Sequence, residues 1–224
     1  MNLLNQKPRV LLTGGSGFLG SHLLNHEAFR EALVIGRNRP VNHERYESVS
    51  FDAIDILAKL LSDVEVVVHV AARAHVMNDS ATSPLEEYRH TNTVGTLNLA
   101  KQAALAGVKR FIFISTIKVL GEETLSGSPF TNNDSLKPQD PYSVSKAEAE
   151  IGLQIIGNNS GMDIVIIRPP LIYGSGAKGN FSNLLKLVRL PIPLPLGAIE
   201  NKRSFVSVEN LVDLIIVCLT HPKA

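Results

Sequence analysis

Arg9-Val10-Leu11-Leu12-Thr13-Gly14-Gly15-Ser16-Gly17-Phe18-Leu19-Gly20 is an apolar run of strand length that stops on glycines and passes into a helix-like stretch, Gly17–Phe29. Glycine accepts positive φ and lets backbone N–H groups come close to a diphosphate. A helix that starts immediately afterwards turns its dipole and free N–H groups toward the same anion. Both G-x-G-x-x-G (15, 17, 20) and G-x-x-G-x-x-G (14, 17, 20) can be read here. Such glycines also suit close strand–helix packing alone. Their position, the first strand-to-helix turn, is the one a dinucleotide fingerprint requires.

Outward from this turn the pattern repeats. Ala32–Ile35 stops at Gly36, Glu65–Val70 runs into Ala71-Ala72, Arg110–Ile114 into Ser115-Thr116, and Asp163–Ile167 into Arg168-Pro169-Pro170. These runs are continuously apolar rather than alternating, as in strands covered on both faces. A weaker strand is expected near Val49–Phe51. Ile56–Leu61, Leu85–Ala106, Tyr142–Ile156 and Val208–Thr220 read as helices, with Gly107 placed to stop the second as a C′ glycine. The alternation predicts an α/β fold, a Rossmann-type doubly wound parallel sheet with helices on both faces. Pro and Gly cluster over 169–179 and 191–197, where the chain is expected to leave the sheet for a smaller lobe. The expected division is a dinucleotide-binding domain over 1–168 and a partial lobe, interleaved with it, over 169–224.

Composition narrows the function. The 224 residues carry 22 Lys+Arg against 21 Asp+Glu, so the basic excess of a nucleic-acid binder is missing. No window approaches 18 apolar residues, which argues against a membrane span. The first seven residues lack the basic-then-apolar layout of a secretory signal, and a cytoplasmic location is expected. The single Cys218 excludes an internal disulfide and a cysteine-based zinc site. His69, His75 and His90 fit no short ligand motif, so no metal is expected.

Two further features bear on chemistry. The second strand ends in Gly36-Arg37, with Arg39 nearby and no carboxylate before Glu44. A carboxylate there would grip an adenosine ribose 2′-hydroxyl, whereas an Arg suits a 2′-phosphate, so NADP stands beside NAD. Tyr142 and Lys146, in Pro141-Tyr142-Ser143-Val144-Ser145-Lys146, share one helix face at i and i+4. A nearby ammonium favours tyrosinate and is expected to lower the phenol's pKa toward working pH. Ser115-Thr116 ends an inner strand, at the edge where open parallel sheets keep their crevice.

These residues, with Asp52 after the third strand, His69-Val70-Ala71-Ala72, Asn92-Thr93-Val94-Gly95-Thr96 and Arg168-Pro169-Pro170-Leu171-Ile172-Tyr173-Gly174, stand in a specific order. In that order the chain resembles extended short-chain dehydrogenase/reductases of the nucleotide-sugar epimerase/dehydratase group, over nearly its whole length. The resemblance implies that Gly14, Gly17, Phe18, Leu19 and Gly20 hold the cofactor's pyrophosphate, with Arg37 at the ribose. It places Asp52 and Ala53 at the adenine, and Ala71, Ala72, Arg73, Asn92, Ser115, Pro169 and Leu171 along the rest of the dinucleotide. Thr116 aligns with the catalytic hydroxyl, Tyr142 with the base and Lys146 with its helper, the last two also touching cofactor. Lys118, Asn180 and Arg203 fall where substrate is held, Arg203 as a fork for the diphosphate.

Dehydratases of the group carry Thr-Asp-Glu at the inner-strand turn; here it reads Thr116-Ile117-Lys118, which argues against 4,6-dehydration. The resemblance leaves UDP-sugar 4-epimerisation with a tightly bound nicotinamide, or NAD(P)H-dependent reduction of a 4-keto sugar, with bacterial surface-polysaccharide hexosamines among the substrates. A non-catalytic NAD(P)-binding sensor is the alternative of another class. Group members continue past Val208–Thr220, so the sugar lobe is expected to be incomplete in this chain. They also dimerise through the two long helices, Leu85–Ala106 and Tyr142–Ile156, as a four-helix bundle.

Overall fold

The computed structural model describes residues 8–74, 83–125, 127–177, 187–189 and 202–224. Six strands, β1 (Val10–Thr13), β2 (Leu33–Gly36), β3 (Tyr46–Ser48), β4 (Val66–His69), β5 (Arg110–Ile114) and β6 (Asp163–Ile167), form one parallel sheet in the order β3-β2-β1-β4-β5-β6. The winding reverses between β1 and β4, which opens a crevice at their carboxyl ends.

Alternate strand residues serve opposite faces. Leu12, Val68 and Ile112 pack under α1 (Phe18–Leu24) and α6 (Val208–Thr220), meeting Leu23, Leu211 and Ile215. Leu11, Val67, Phe111 and Phe113 pack on the other face. They meet α2 (Ile54–Leu60), α4 (Gly95–Leu105) and α5 (Pro141–Ser160) through Leu57, Leu99 and Leu153. In β1, β4 and β5 every residue is buried, so nearly every position repays an apolar side chain, and the runs in the sequence are unbroken for that reason. The end of α6 is closed from the sheet: Arg110 Nη1 donates to the carbonyls of Cys218 (2.8 Å) and His221 (3.0 Å).

Several expected elements differ in detail. The third strand is Tyr46–Ser48, not Val49–Phe51, because the Tyr46 phenol donates to the Gly36 carbonyl (2.8 Å) and sets the register Val34↔Tyr46. Val49 lies just beyond it, in the core under α2. Helix α1 stops at Leu24, and Glu27–Phe29 is a separate 3-10 turn capped by the His26 ring. The helix expected over Leu85–Ala106 is three pieces: α3 (Pro84–Tyr88), a π-helical turn (Arg89–Val94) and α4, after which Gly107 takes φ +80. A further parallel pair, β7 (Leu171–Tyr173) with β8 (Phe205–Ser207), was not expected. Its three-residue strands are too short to carry a periodic signal.

Candidate active site

The glycine turn is built by contact as well as conformation. Gly14 has φ +74, and a Cβ there would lie 2.6 Å from the Ala71 backbone nitrogen. A Cβ on Gly20 would lie 2.1 Å from the Gly14 carbonyl oxygen. Gly17 N donates to the Gly14 carbonyl (2.9 Å), and no side chain caps α1, so its first N–H groups point out of the turn. Gly14→Ala or Gly20→Ala must therefore move main chain, at about 2–3 kcal/mol each. Urea unfolding is expected to show that loss, and dinucleotide titration a loss of binding larger than the loss of stability explains.

Behind the turn, a buried chain of hydrogen bonds ties β1 to β4. Ala71 N donates to Thr13 Oγ1 (3.1 Å), which lies 2.8 Å from His69 Nδ1, and His69 Nε2 lies 2.9 Å from Thr96 Oγ1. Each ring nitrogen of His69 thus has a hydroxyl partner, and a hydroxyl can donate or accept, so the neutral ring is satisfied in either tautomer. Burial, reinforced by the Lys146 charge, pulls the His69 pKa down to about 3, so the ring is neutral. His69 is thus a satisfied core histidine. Among the described residues no group of three His, Cys, Asp or Glu could hold a metal ion.

Asn92, fully buried in the π-helical turn, clamps the loop after β4. Its Oδ1 accepts from Arg73 N (2.8 Å), and its Nδ2 donates to the Arg73 carbonyl (3.1 Å) and to Ser145 Oγ (3.0 Å). The clamp joins the wall containing Ala71, Ala72 and Arg73 to α5. The Arg73 guanidinium lies over the Tyr88 ring (5.5 Å), and Tyr88 meets Tyr142 edge to face (6.1 Å).

Thr116, Tyr142 and Lys146 come from two elements that are strapped together. Thr116 starts a 3-10 turn, Ile117–Val119, and its Oγ1 accepts from Lys118 N (3.3 Å). Ile117 N donates to the Pro169 carbonyl (3.0 Å), which anchors the turn to the end of β6. Across the gap, Asp140 caps α5: its Oδ1 accepts from Ser143 N (2.7 Å) while Ser143 Oγ accepts from Asp140 N (3.1 Å), a capping box with Pro141 in the first turn. Lys118 Nζ donates to Asp140 Oδ2 (2.6 Å) and Glu122 Oε1 (3.2 Å). Lys118 therefore bridges the turn that carries Thr116 and the helix end that carries Tyr142.

The electrostatics reverse one expectation. In the protein alone, the Tyr142 phenol is pushed up to about 12, chiefly by burial and then by the Asp140 charge and Tyr88. The Lys146 ammonium sits inside the fold, 1% exposed and 4.0 Å over the Phe113 ring. Burial pulls its own pKa down to about 7, against the opposing pull of Glu150. Glu150 is itself buried and held by a bidentate fork from Arg168, with Nη2 donating at 2.7 Å.

The site has polar groups waiting for a ligand. Ser115 Oγ is buried and has no hydrogen-bond partner among the described residues. Among the described residues the Lys146 ammonium makes no hydrogen bond either, only its contact with the Phe113 ring. Buried donors are rarely left unpaired, and a ribose or nicotinamide carboxamide would satisfy both. The residues present fit a dinucleotide.

The other expected residues fall as follows. Phe18 and Leu19 open α1, and Leu19 is in the core. Arg37 is exposed one residue beyond β2. Asp52 lies 3.8 Å from His90 Nε2 and accepts from Ser50 Oγ, and Ala53 is the residue before α2. Pro169 is buried, while Leu171, on β7, and Arg203 are exposed. Asn180 and His75 lie outside the described residues. Sequence reading missed Asp140, Glu150 and Ser145. Asp140-Pro141-Tyr142-Ser143 carried a usable signal, a capping acid before a first-turn proline.

The chain is 49% identical to a UDP-glucose 4-epimerase of Vibrio cholerae, over 96% of this chain and 67% of that one. It is 32% identical to a dTDP-D-glucose 4,6-dehydratase of Mus musculus, over 74% of this chain and 51% of that one. The chain thus spans between half and two thirds of these relatives. Among solved structures, a dTDP-glucose 4,6-dehydratase from Streptomyces venezuelae with NAD bound matches with a TM-score of 0.78 and 28% identity, covering 95% of this chain and 72% of that one. A UDP-glucose 4-epimerase from Thermotoga maritima with UDP-glucose matches with a TM-score of 0.77 and 25% identity, covering 94% and 72%. The family model described as NAD dependent epimerase/dehydratase matches residues 10–224, and with the crevice, the glycine turn and the Tyr142/Lys146 helix in place, this chain belongs to that family.

Proposed function

We propose that this chain interconverts C4 epimers of a UDP-hexose through a reversibly formed 4-keto sugar. The observation that carries the reading is the strapped pair of elements presenting Thr116 and Tyr142 at the carboxyl edge, with no carboxylate in the Thr116-Ile117-Lys118 turn. The 49% identity to a protein named as a UDP-glucose 4-epimerase supports it.

The glycine turn, the Ala71–Arg73 wall, Ser115 and Lys146 would hold the dinucleotide. When bound and oxidised, the nicotinamide supplies a hydride acceptor and a positive charge. Tyr142 Oη takes the proton of the sugar 4-hydroxyl as the C4 hydride leaves, and returns it when C4 is reduced again. Thr116, half-buried where Ser115 is fully buried, holds the same oxygen through its hydroxyl. A phenol at about 12 is almost wholly protonated near neutral pH. Tyr142 can therefore take the sugar's proton only as tyrosinate, after its own proton has left to solvent, an ionisation that positive charge in the site favours. That coupling keeps the phenol protonated until the oxidised cofactor is present. Inversion requires the keto sugar to offer its other face before reduction. Lys118, engaged by Asp140 and Glu122, serves in this reading as the brace between the two catalytic elements rather than as a substrate ligand. Arg203 and Asn180 remain assigned to the diphosphate by resemblance.

A homodimer and a cytoplasmic site of action belong to the same reading. Val94, Ile151 and Ile155, 46–56% exposed on the π-helical turn and α5, supply an apolar face for a second copy. Net reduction of a 4-keto sugar is the second reading, favoured by the acid-free end of β2. Incubating UDP-glucose with the protein and catalytic NAD+ separates the two. Accumulation of UDP-galactose supports epimerisation, whereas stoichiometric NADPH loss on a 4-keto sugar with no epimer supports reduction.

A further inference from the structure

We infer that Phe113 is a positioning residue for the reaction: the face of its ring seats the Lys146 ammonium, holding it charged and at a fixed depth beneath the crevice. This deepens the reading proposed above and rests on it. Both residues are buried, Lys146 1% and Phe113 0% exposed. Phe113 lies on β5 just before Ser115, and Lys146 reaches it from α5, with Nζ 4.0 Å from the ring centroid. A charge taken out of water is costly unless it is paired or hydrogen-bonded. This ammonium makes no hydrogen bond among the described residues. What meets it directly is the negative face of a ring, which attracts a cation within about 6 Å and does so most strongly where water is excluded.

The titratable groups around the ammonium do not supply this seat. Glu150, one turn further along α5, is gripped by the Arg168 fork from the end of β6, with Nη2 donating at 2.7 Å, so its charge is largely answered there. His69, the register partner of Phe113 on β4, stacks beside the ring (5.9 Å, 14°). Burial keeps it neutral, so it is neither a counter-charge nor a competing cation. Tyr142, one turn back on α5, carries no charge until it ionises. A ring also differs from a carboxylate in what it leaves free. It attracts the charge without a strong directional acceptor, so N–H groups of the ammonium stay available for a ribose. Phe111, on the same face of β5 and equally buried, makes no such contact with Lys146 among the described residues.

The test replaces Phe113, in the full chain, by mono-, di- and trifluorinated phenylalanine, which keep the shape of the ring and progressively weaken its negative face. The same series at Phe111 is the control. Carbon-13 NMR of the lysine side chains follows the Lys146 titration, assigned by its loss in Lys146→Met, and melting curves follow the fold. The native midpoint is expected at about 7. Trifluorination at Phe113 should lower it by about one pH unit, a roughly tenfold loss of proton affinity, with the other two variants in between. Turnover of UDP-glucose at pH 7 should fall roughly fivefold, as the charged fraction drops from about a half to about a tenth. The Phe111 series should move neither reading. An unmoved Lys146 titration in the Phe113 series, or equal changes in both series, would overturn the inference. A native protein that makes no UDP-galactose would instead overturn the epimerase reading; the Lys146 titration, which needs no turnover, then decides the seat by the same two outcomes.

Discussion

Tyr142→Phe, which removes one oxygen, is expected to lower epimerisation of UDP-glucose by about 10²–10⁴-fold, the usual worth of a positioned acid–base group. Fold and dinucleotide affinity should hardly change. The ring's packing against Tyr88 does not involve the hydroxyl, and no hydrogen bond from that hydroxyl supports the structure among the described residues. A melting curve and a dinucleotide titration of the variant make the contrast readable. The pH dependence has a definite sign. Burial and Asp140 raise the phenol to about 12 in the protein alone, so turnover should climb with pH through the neutral range. Asp140→Asn keeps a capping side chain and removes the charge that opposes ionisation, so it should move that climb to lower pH.

Lys146→Met is expected to lose turnover and gain stability. An unfolded lysine titrates near 10.5, whereas in the fold burial lowers Lys146 to about 7. Between those values the unfolded chain binds more protons than the native one, so stability rises with pH across this window. The destabilisation is fully developed below pH 7 and vanishes above about 10.5. Met keeps the length of the side chain against Phe113 and has no charge to bury. The variant should be about 2–4 kcal/mol more stable at pH 7, with the advantage gone near pH 10.5. Urea titrations at pH 7, 9 and 10.5 measure this. A lysine kept at such a cost on α5, over the sheet's Phe113, fits the functional role proposed for it and a stability–activity trade-off.

The fold was legible because burial on both faces writes itself into the chain as unbroken apolar runs. Five strands, and helix α6 with its bounds, can be read directly from them. What was obscured obeys other forces. The third strand is placed by a Tyr46 side-chain bond rather than by hydrophobicity, and the break in the α3–α4 helix is a π-helical turn whose residues look helical in sequence. Within the site, the strand end that carries Thr116 and the helix that carries Tyr142 and Lys146 were legible, but the electrostatics of these groups were not. An i, i+4 ammonium acidifies a phenol only while it is charged, and burial lowers Lys146 to about 7, well below where the phenol titrates. Lys118 illustrates the same limit. Its partner Asp140 is 22 residues away, and only the fold shows that the pair straps the active-site turn to α5.

The central claim, that a proton and a hydride leave and return at one sugar carbon, can be tested with UDP-glucose carrying deuterium at C4. Proton NMR of the product made with catalytic NAD+ should show UDP-galactose with its C4 deuterium retained, because the hydride taken from that carbon is the one given back. UDP-galactose with C4 deuterium exchanged for solvent protons, or no C4 epimer while dinucleotide is bound, would contradict the account.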